Sequence, residues 1–182
     1  PNVKRDIELV YLGRLVSDKG VDQLLEALSK LRSKNCFPKL SVIGTGEEEI
    51  ELKKKSVMLG LDNQVNFLGV KVEEELVQLL NRHKIMVMPS VWDEPFGVVA
   101  LEGIACGCVV IGSEGGGLKQ AIGSCGITYK NGDIEQLTFL LYNLLSQPQV
   151  LEEYTSNRIQ HLAKHKKELI TKQYIEVLFN NA

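Results

Sequence analysis

Short apolar runs alternate along the chain with segments of helical periodicity. "IELVYLG" (7–13), "KLSVIG" (39–44), "QVNFLG" (64–69), "KIMVMPS" (84–90), "CVVIGS" (108–113) and "GITY" (126–129) have the length of strands, and most end in Gly or Ser. Between them apolar residues recur three or four positions apart. In "DKGVDQLLEALSKLRSK" (18–34) they are Val21, Leu24, Leu25, Leu28 and Leu31. Further helices are expected at 47–60, 73–83, 97–107 and 133–147, with helical continuation over 149–164 and 166–180. The 47–60 segment has an acidic first turn and Gly60 after its end, as the helix dipole and C-cap rules favour. Near-continuous apolar strands alternating with helices predict a parallel sheet covered on both faces. Right-handed crossovers make this a doubly wound, Rossmann-like α/β domain.

Composition narrows the function classes. The 182 residues suffice for one domain, and 44% apolar with 24% charged residues is ordinary for a globular chain. A net charge of −2 gives no reason to expect nucleic acid or an anionic membrane as partner. No apolar run reaches the roughly 18 residues of a membrane span. The chain opens "PNVKRDIELV", with neither Met nor a signal-peptide pattern, so a longer protein is expected. Cys36, Cys106, Cys108 and Cys125 lack zinc-site spacing and read as small hydrophobes; free thiols point to a reducing compartment. "HLAKHKKELITK", near the C-terminus, reads as a solvated charged face.

The candidate chemistry lies at the strand ends, where ligands bind such sheets. "GRLVSDKG" follows the first strand, "GTGEEE" the second, "PSVWDEPFG" the fourth and "SEGGG" the fifth. With Ser17 or Asp18 as cap, Lys19 falls in the first turn of the next helix. There a cation opposes the dipole unless an anionic ligand intervenes. Arg14 could reach the same anion with its planar fork; otherwise the two are surface cations. "GTG" (44–46) is too short for a phosphate loop, although glycine there lets backbone approach a ligand. Pro95 keeps Glu94 extended, in the loop before the fourth helix. Glu102 falls inside that helix, which is apolar almost all round, so its charge needs a partner. A vicinal diol would serve, and a core lysine or arginine is the alternative. Histidines 83, 161 and 165 fall on helices and supply no convincing base. The arrangement suits a hydroxyl-rich ligand that carries an anion.

"GRLVSDKG", "GTG", "FLG", "PSVWDEPFGVVALEGIACG" and "GGG" occur in the order and approximate spacing of the retaining GT-B glycosyltransferases. Over nearly its whole length the chain resembles their C-terminal, donor-binding domain, with Glu94 and Glu102 forming a Glu-x7-Glu motif. The resemblance implies that residues 1–182 are one nucleotide-sugar-binding domain, half of a GT-B fold, with about 149–182 peripheral. It implies that Arg14 and Lys19 neutralise the donor diphosphate, and that Glu102 takes the ribose hydroxyls. Glu94, with amides around Phe96, Gly97 and Val98, would hold the donor sugar. Gly13 and Gly46 would admit backbone close to phosphates and nucleoside, and Gly69 and Val70 would lie by the base. The reaction implied is sugar transfer from a UDP-, GDP- or ADP-sugar with retention of configuration, without cofactor or required metal. An N-terminal Rossmann-like domain, absent from the chain, would carry the acceptor site, so the chain alone is expected to be inactive. A cytoplasmic location is implied, or a peripheral one at the inner face of the membrane through the missing parts. "GGGLKQAI" departs from the family's Pro-Glu after the glycines, which leaves this loop without an assigned role. The alternatives are a GT-B nucleotide-sugar epimerase half-domain and a non-catalytic nucleotide-binding module.

Overall fold

The structure, a computed structural model, describes residues 4–167 and 169–171. Six strands form one sheet: β1 (Ile7–Leu12), β2 (Leu40–Ile43), β3 (Val65–Gly69), β4 (His83–Met88), β5 (Val109–Ser113) and β6 (Gly126–Tyr129), in the order β3-β2-β1-β4-β5-β6. Every neighbouring pair is parallel. The apolar runs pair because each strand is buried on both faces. In β1 and β4, Leu9, Tyr11, Ile85 and Val87 enter one core, whereas Val10, Met86 and Met88 enter the other.

Among the described residues eight α-helices cover these faces: α1 (Val21–Leu31), α2 (Glu49–Met58), α3 (Glu73–Asn81), α4 (Val98–Ala105), α5 (Leu118–Ile122), α6 (Ile134–Ser146), α7 (Pro148–Ser156) and α8 (Arg158–Ala163). The first core takes side chains of α1, α2 and α6, and the second those of α3, α4 and α5. Leu24, Leu25, Leu28 and Leu31 of α1 are fully buried, and each such side chain contributes about 1.5–3 kcal/mol of burial. Asp133 caps α6 by accepting from the Gln136 amide at 2.8 Å.

Several expectations change in detail. The helix expected over 18–34 has an interruption: Ser17–Lys19 form one 3-10 turn, Gly20 turns left-handed at φ 64°, and α1 begins at Val21. Only glycine fits at 20, because a Cβ would meet the Pro89 carbonyl oxygen at 2.0 Å. The segment 149–164 breaks at Asn157 into α7 and α8. The helix expected over 166–180 lies mostly outside the described residues. α5, which no periodicity announces, is five residues long. His83 opens β4 and is not helical; it is fully buried, with Nδ1 2.7 Å from the Leu79 carbonyl and Nε2 2.9 Å from Ser41 Oγ.

Candidate functional site

β1 and β4 lie side by side, but the chain leaves them in opposite directions, towards β2 and towards β5. This reversal opens a crevice at the carboxyl ends of the strands. A cavity of about 130 Å³ occupies it, lined among others by Tyr11, Gly13, Lys19, Ser90, Glu94 and the Gly97–Val99 start of α4. The first amides of a helix have no acceptor within it, so this wall is rich in free N–H donors.

Lys19 and Glu94 meet here across 75 residues of sequence, with Nζ 2.6 Å from Oε1. The Ser90 hydroxyl donates to the same oxygen at 2.5 Å. Burial alone would raise the Glu94 pKa. The hydrogen bonds from Lys19 and Ser90 and the charges of Lys19 and Arg14 outweigh it, so the carboxyl is held below its ordinary value. Lys19 does not stand in the first turn of α1, as expected, but closes the 3-10 turn before Gly20. That turn carries it towards the loop after β4, and the amides of Val91 and Trp92 join the loops by donating to the Asp18 carbonyl at 2.9 and 3.3 Å. Arg14 is exposed beside the cavity, and its carbonyl accepts the Tyr11 hydroxyl at 2.7 Å. Burial, then the charges of Glu94 and Asp18, drive the Tyr11 phenol up, so it stays a neutral donor.

The glycine loop left without a role in the sequence holds Glu94 in place. Gly116 pairs with Glu94 in a parallel bridge, and the Gly117 amide donates to the Glu94 carbonyl at 2.7 Å. Gly116 is left-handed at φ 62°, and a Cβ there would meet the Glu94 carbonyl oxygen at 2.1 Å. Ser90 and this loop are the site elements that sequence reasoning missed. A serine after an apolar strand carries no signal of its own, but three successive glycines did mark a close backbone approach.

The other predicted residues divide into those near the cavity and those away from it. Glu102 is exposed, with no side-chain hydrogen bond or ion pair among the described residues, and is neither enclosed by apolar groups nor paired in the core. The reason is that α4 buries only Ala100, Gly103 and Ile104; Val98, Glu102 and Ala105 form an uncovered stripe at helical spacing. Gly97 and Val98 line the cavity, whereas the Phe96 ring turns away and packs 5.6 Å from the His165 ring. Gly13 lines the cavity with its Cα under the Tyr11 hydroxyl. Gly46 answers an internal need, since a Cβ there would meet the Leu15 carbonyl at 2.2 Å. Gly69 ends β3 and Val70 beyond it is 62% exposed, on the β2 side of the crevice.

Among the described residues no group of three or more His, Cys, Asp or Glu could hold a metal ion. All four cysteines are free; Cys108 and Cys125 are buried, Cys36 and Cys106 partly so, and burial pushes the Cys108 thiol up to about 12. No helix among the described residues is long and apolar enough to cross a membrane.

Residues 1–161 match the family model described as glycosyl transferases group 1. The glycogen synthase of Mycobacterium tuberculosis is 34% identical over 143 residues, 78% of this chain and 34% of that protein. The D-inositol 3-phosphate glycosyltransferase of Corynebacterium urealyticum is 32% identical over 179 residues, 92% of this chain and 41% of that protein. The chain thus spans well under half the length of these curated relatives. Among solved structures, Anabaena HepE in complex with UDP and glucose superposes with a TM-score of 0.80 at 26% identity, covering 96% of this chain and 48% of that one. The C-terminal domain of a glycosyl transferase group 1 family protein (LpcC) from Francisella tularensis shares the fold, with a TM-score of 0.77 at 24% identity over 91% of this chain and 89% of that one.

Proposed function

The chain belongs to the glycosyl transferases group 1 family, with the fold of a GT-B half-domain, and from that premise we propose that it binds the nucleoside-diphosphate sugar of a retaining sugar transfer. The observation that carries this reading is the cavity at the strand-order reversal, where Lys19, the start of α4 and an ionised Glu94 face one space. Anion and hydroxyl recognition stand side by side there, as a sugar diphosphate requires.

In this reading Arg14 and Lys19 take the diphosphate, and Glu102, open on its helix face, accepts the ribose hydroxyls. Glu94 and the amides at Phe96, Gly97 and Val98 hold the sugar. Backbone at Gly13 and Gly46 flanks the phosphates and nucleoside, and Gly69 and Val70 flank the base. As the glycosidic bond breaks, negative charge grows on the departing diphosphate. Two cations and a helix N-terminus fixed in advance stabilise that charge without reorganising, which is the usual source of large electrostatic rate effects. The acceptor site belongs to a second Rossmann-like domain, so transfer requires the full-length protein.

Calorimetric titration with UDP, GDP, ADP and their glucose conjugates tests the reading, and the UDP seen in HepE puts the uridine pair first. At least one diphosphate should bind. Arg14→Ala and Lys19→Ala should each weaken it by about 1.5–3 kcal/mol, the worth of a charge-assisted hydrogen bond, and leave the free nucleoside unchanged. Failure of every diphosphate to bind overturns the proposal. Turnover by the full-length protein distinguishes transfer from epimerisation and from binding without catalysis.

A further inference from the structure

The Glu94 carboxylate is held by one oxygen. Oε1 accepts from Lys19 at 2.6 Å and from Ser90 at 2.5 Å, and Oε2 has no hydrogen bond among the described residues. Oε2 is not fully buried and keeps contact with solvent. The two donors differ in kind. Lys19 ends a flexible stem, on a loop. Ser90 is 2% exposed, stands two residues beyond β4, and reaches only four residues along the chain. Pro95, the next residue, and the Gly117 amide, 2.7 Å from the Glu94 carbonyl, restrain the main chain at Glu94.

We propose that Ser90 is the positioning residue of the site: its hydroxyl fixes Glu94 through Oε1 and leaves Oε2 facing outward for a hydroxyl of the bound sugar. This rests on the donor-binding reading above. A diphosphate that draws Lys19 away removes one of the two bonds to Oε1. Ser90 then remains as the fixed donor that keeps the carboxylate ionised and in one rotamer. A carboxylate released from both would turn to water, and the sugar would meet a mobile acceptor.

The test needs two readouts. The first is the titration of Glu94 in the ligand-free protein, followed by carboxyl ¹³C NMR and assigned with Glu94→Gln. Ser90→Ala should move its midpoint upward, whereas Ser113→Ala should not. Ser113 is a suitable control because its hydroxyl is fully buried with no partner among the described residues. The second is calorimetric affinity for UDP and UDP-glucose, or for the pair the panel selects. Ser90→Ala should weaken the sugar-bearing ligand about tenfold, the effect of losing a hydrogen bond to a charge, and leave the plain diphosphate within about twofold. An unmoved Glu94 midpoint overturns the proposal, and so does an equal loss for both ligands. If the wild-type protein binds no nucleotide, the donor reading and the sugar-facing role fall together. The NMR titration still decides whether Ser90 holds Glu94.

Discussion

Glu94→Gln should tighten the binding of a plain nucleoside diphosphate. In the ligand-free protein one of the two cations proposed for the diphosphate is already paired: Lys19 lies 2.6 Å from Glu94, with side-chain exposures of 19% and 12%. An incoming diphosphate must take Lys19 from that carboxylate and then lie beside the anion it displaced. A surface ion pair is worth about 0–1 kcal/mol, and breaking a buried one costs about 3–5 kcal/mol. This pair lies between those limits. Returning part of it to the ligand should strengthen binding by about 1–2 kcal/mol, or about fivefold to thirtyfold. The sugar-bearing ligand gains the same release but loses its acceptor, so its advantage over the plain diphosphate should shrink. Calorimetry of both ligands against both proteins measures the two changes, and repeating it at higher salt should reduce the gain. If the plain diphosphate binds Glu94→Gln no better than the wild type, Glu94 does not withhold Lys19, and the argument from the ion pair fails.

Glu102→Gln should leave the denaturation midpoint nearly unchanged, within about 0.5 kcal/mol for an exposed side chain without partners among the described residues, and weaken the diphosphate and its sugar conjugate alike; a stability loss with intact affinity would make it a structural residue. Gly116→Ala should cost at least about 2 kcal/mol by chemical denaturation, because φ 62° and the Glu94 carbonyl at 2.1 Å both oppose a Cβ. Gly69→Ala, at φ 68° with open space around it, should cost only about 1 kcal/mol, and equal losses would refute the steric account. Acid should act in two stages. Burial holds His83 below its ordinary 6.5, and the bonds to Glu94 hold that carboxyl below 4.5. Each group adds stability that is complete above its unfolded value and is lost as pH falls through its folded value. Urea midpoints should therefore decline first below about pH 6.5 and again below about pH 4.5, with His83→Gln flattening the first stage; no decline between about pH 6.5 and pH 5 would refute the His83 assignment.

The fold was largely legible because the strands are buried on both faces. Residues such as Val10 and Tyr11 serve different cores, and the apolar run records both. The helix boundaries were less legible. Gly20 ends the 3-10 turn because the Pro89 carbonyl lies behind it, and that neighbour comes from 69 positions further along the chain. α5 is too short to complete a periodic pattern, and its Leu118, Ala121 and Ile122 are recognisable as buried only once β5 and β6 flank them.

The site was legible in its parts and not in their pairing. Lys19, Glu94 and the start of α4 do meet at one edge, with Arg14 exposed on the loop beside them, as strand-end loops of a parallel sheet must. Which loop faces which depends on strand order. Only when β4 is placed beside β1, not beside β3, does the turn at Ser17–Lys19 stand against the loop after β4. The ion pair that links Lys19 to Glu94 is therefore a property of topology. The surroundings of Glu102 were not legible for the complementary reason: apolar composition reports how much of a helix resists water, and it does not report which stripe the neighbours leave open. With α5 and α8 packed on α4, Val98, Glu102 and Ala105 remain uncovered. The glutamate expected to need a partner has none among the described residues, and the glutamate expected to stand in a loop is held by Lys19, Ser90 and the Gly117 amide. Of the two carboxylates, Glu94 is thus the one whose geometry is set before any ligand arrives, which is the property a group that must meet a reacting sugar requires.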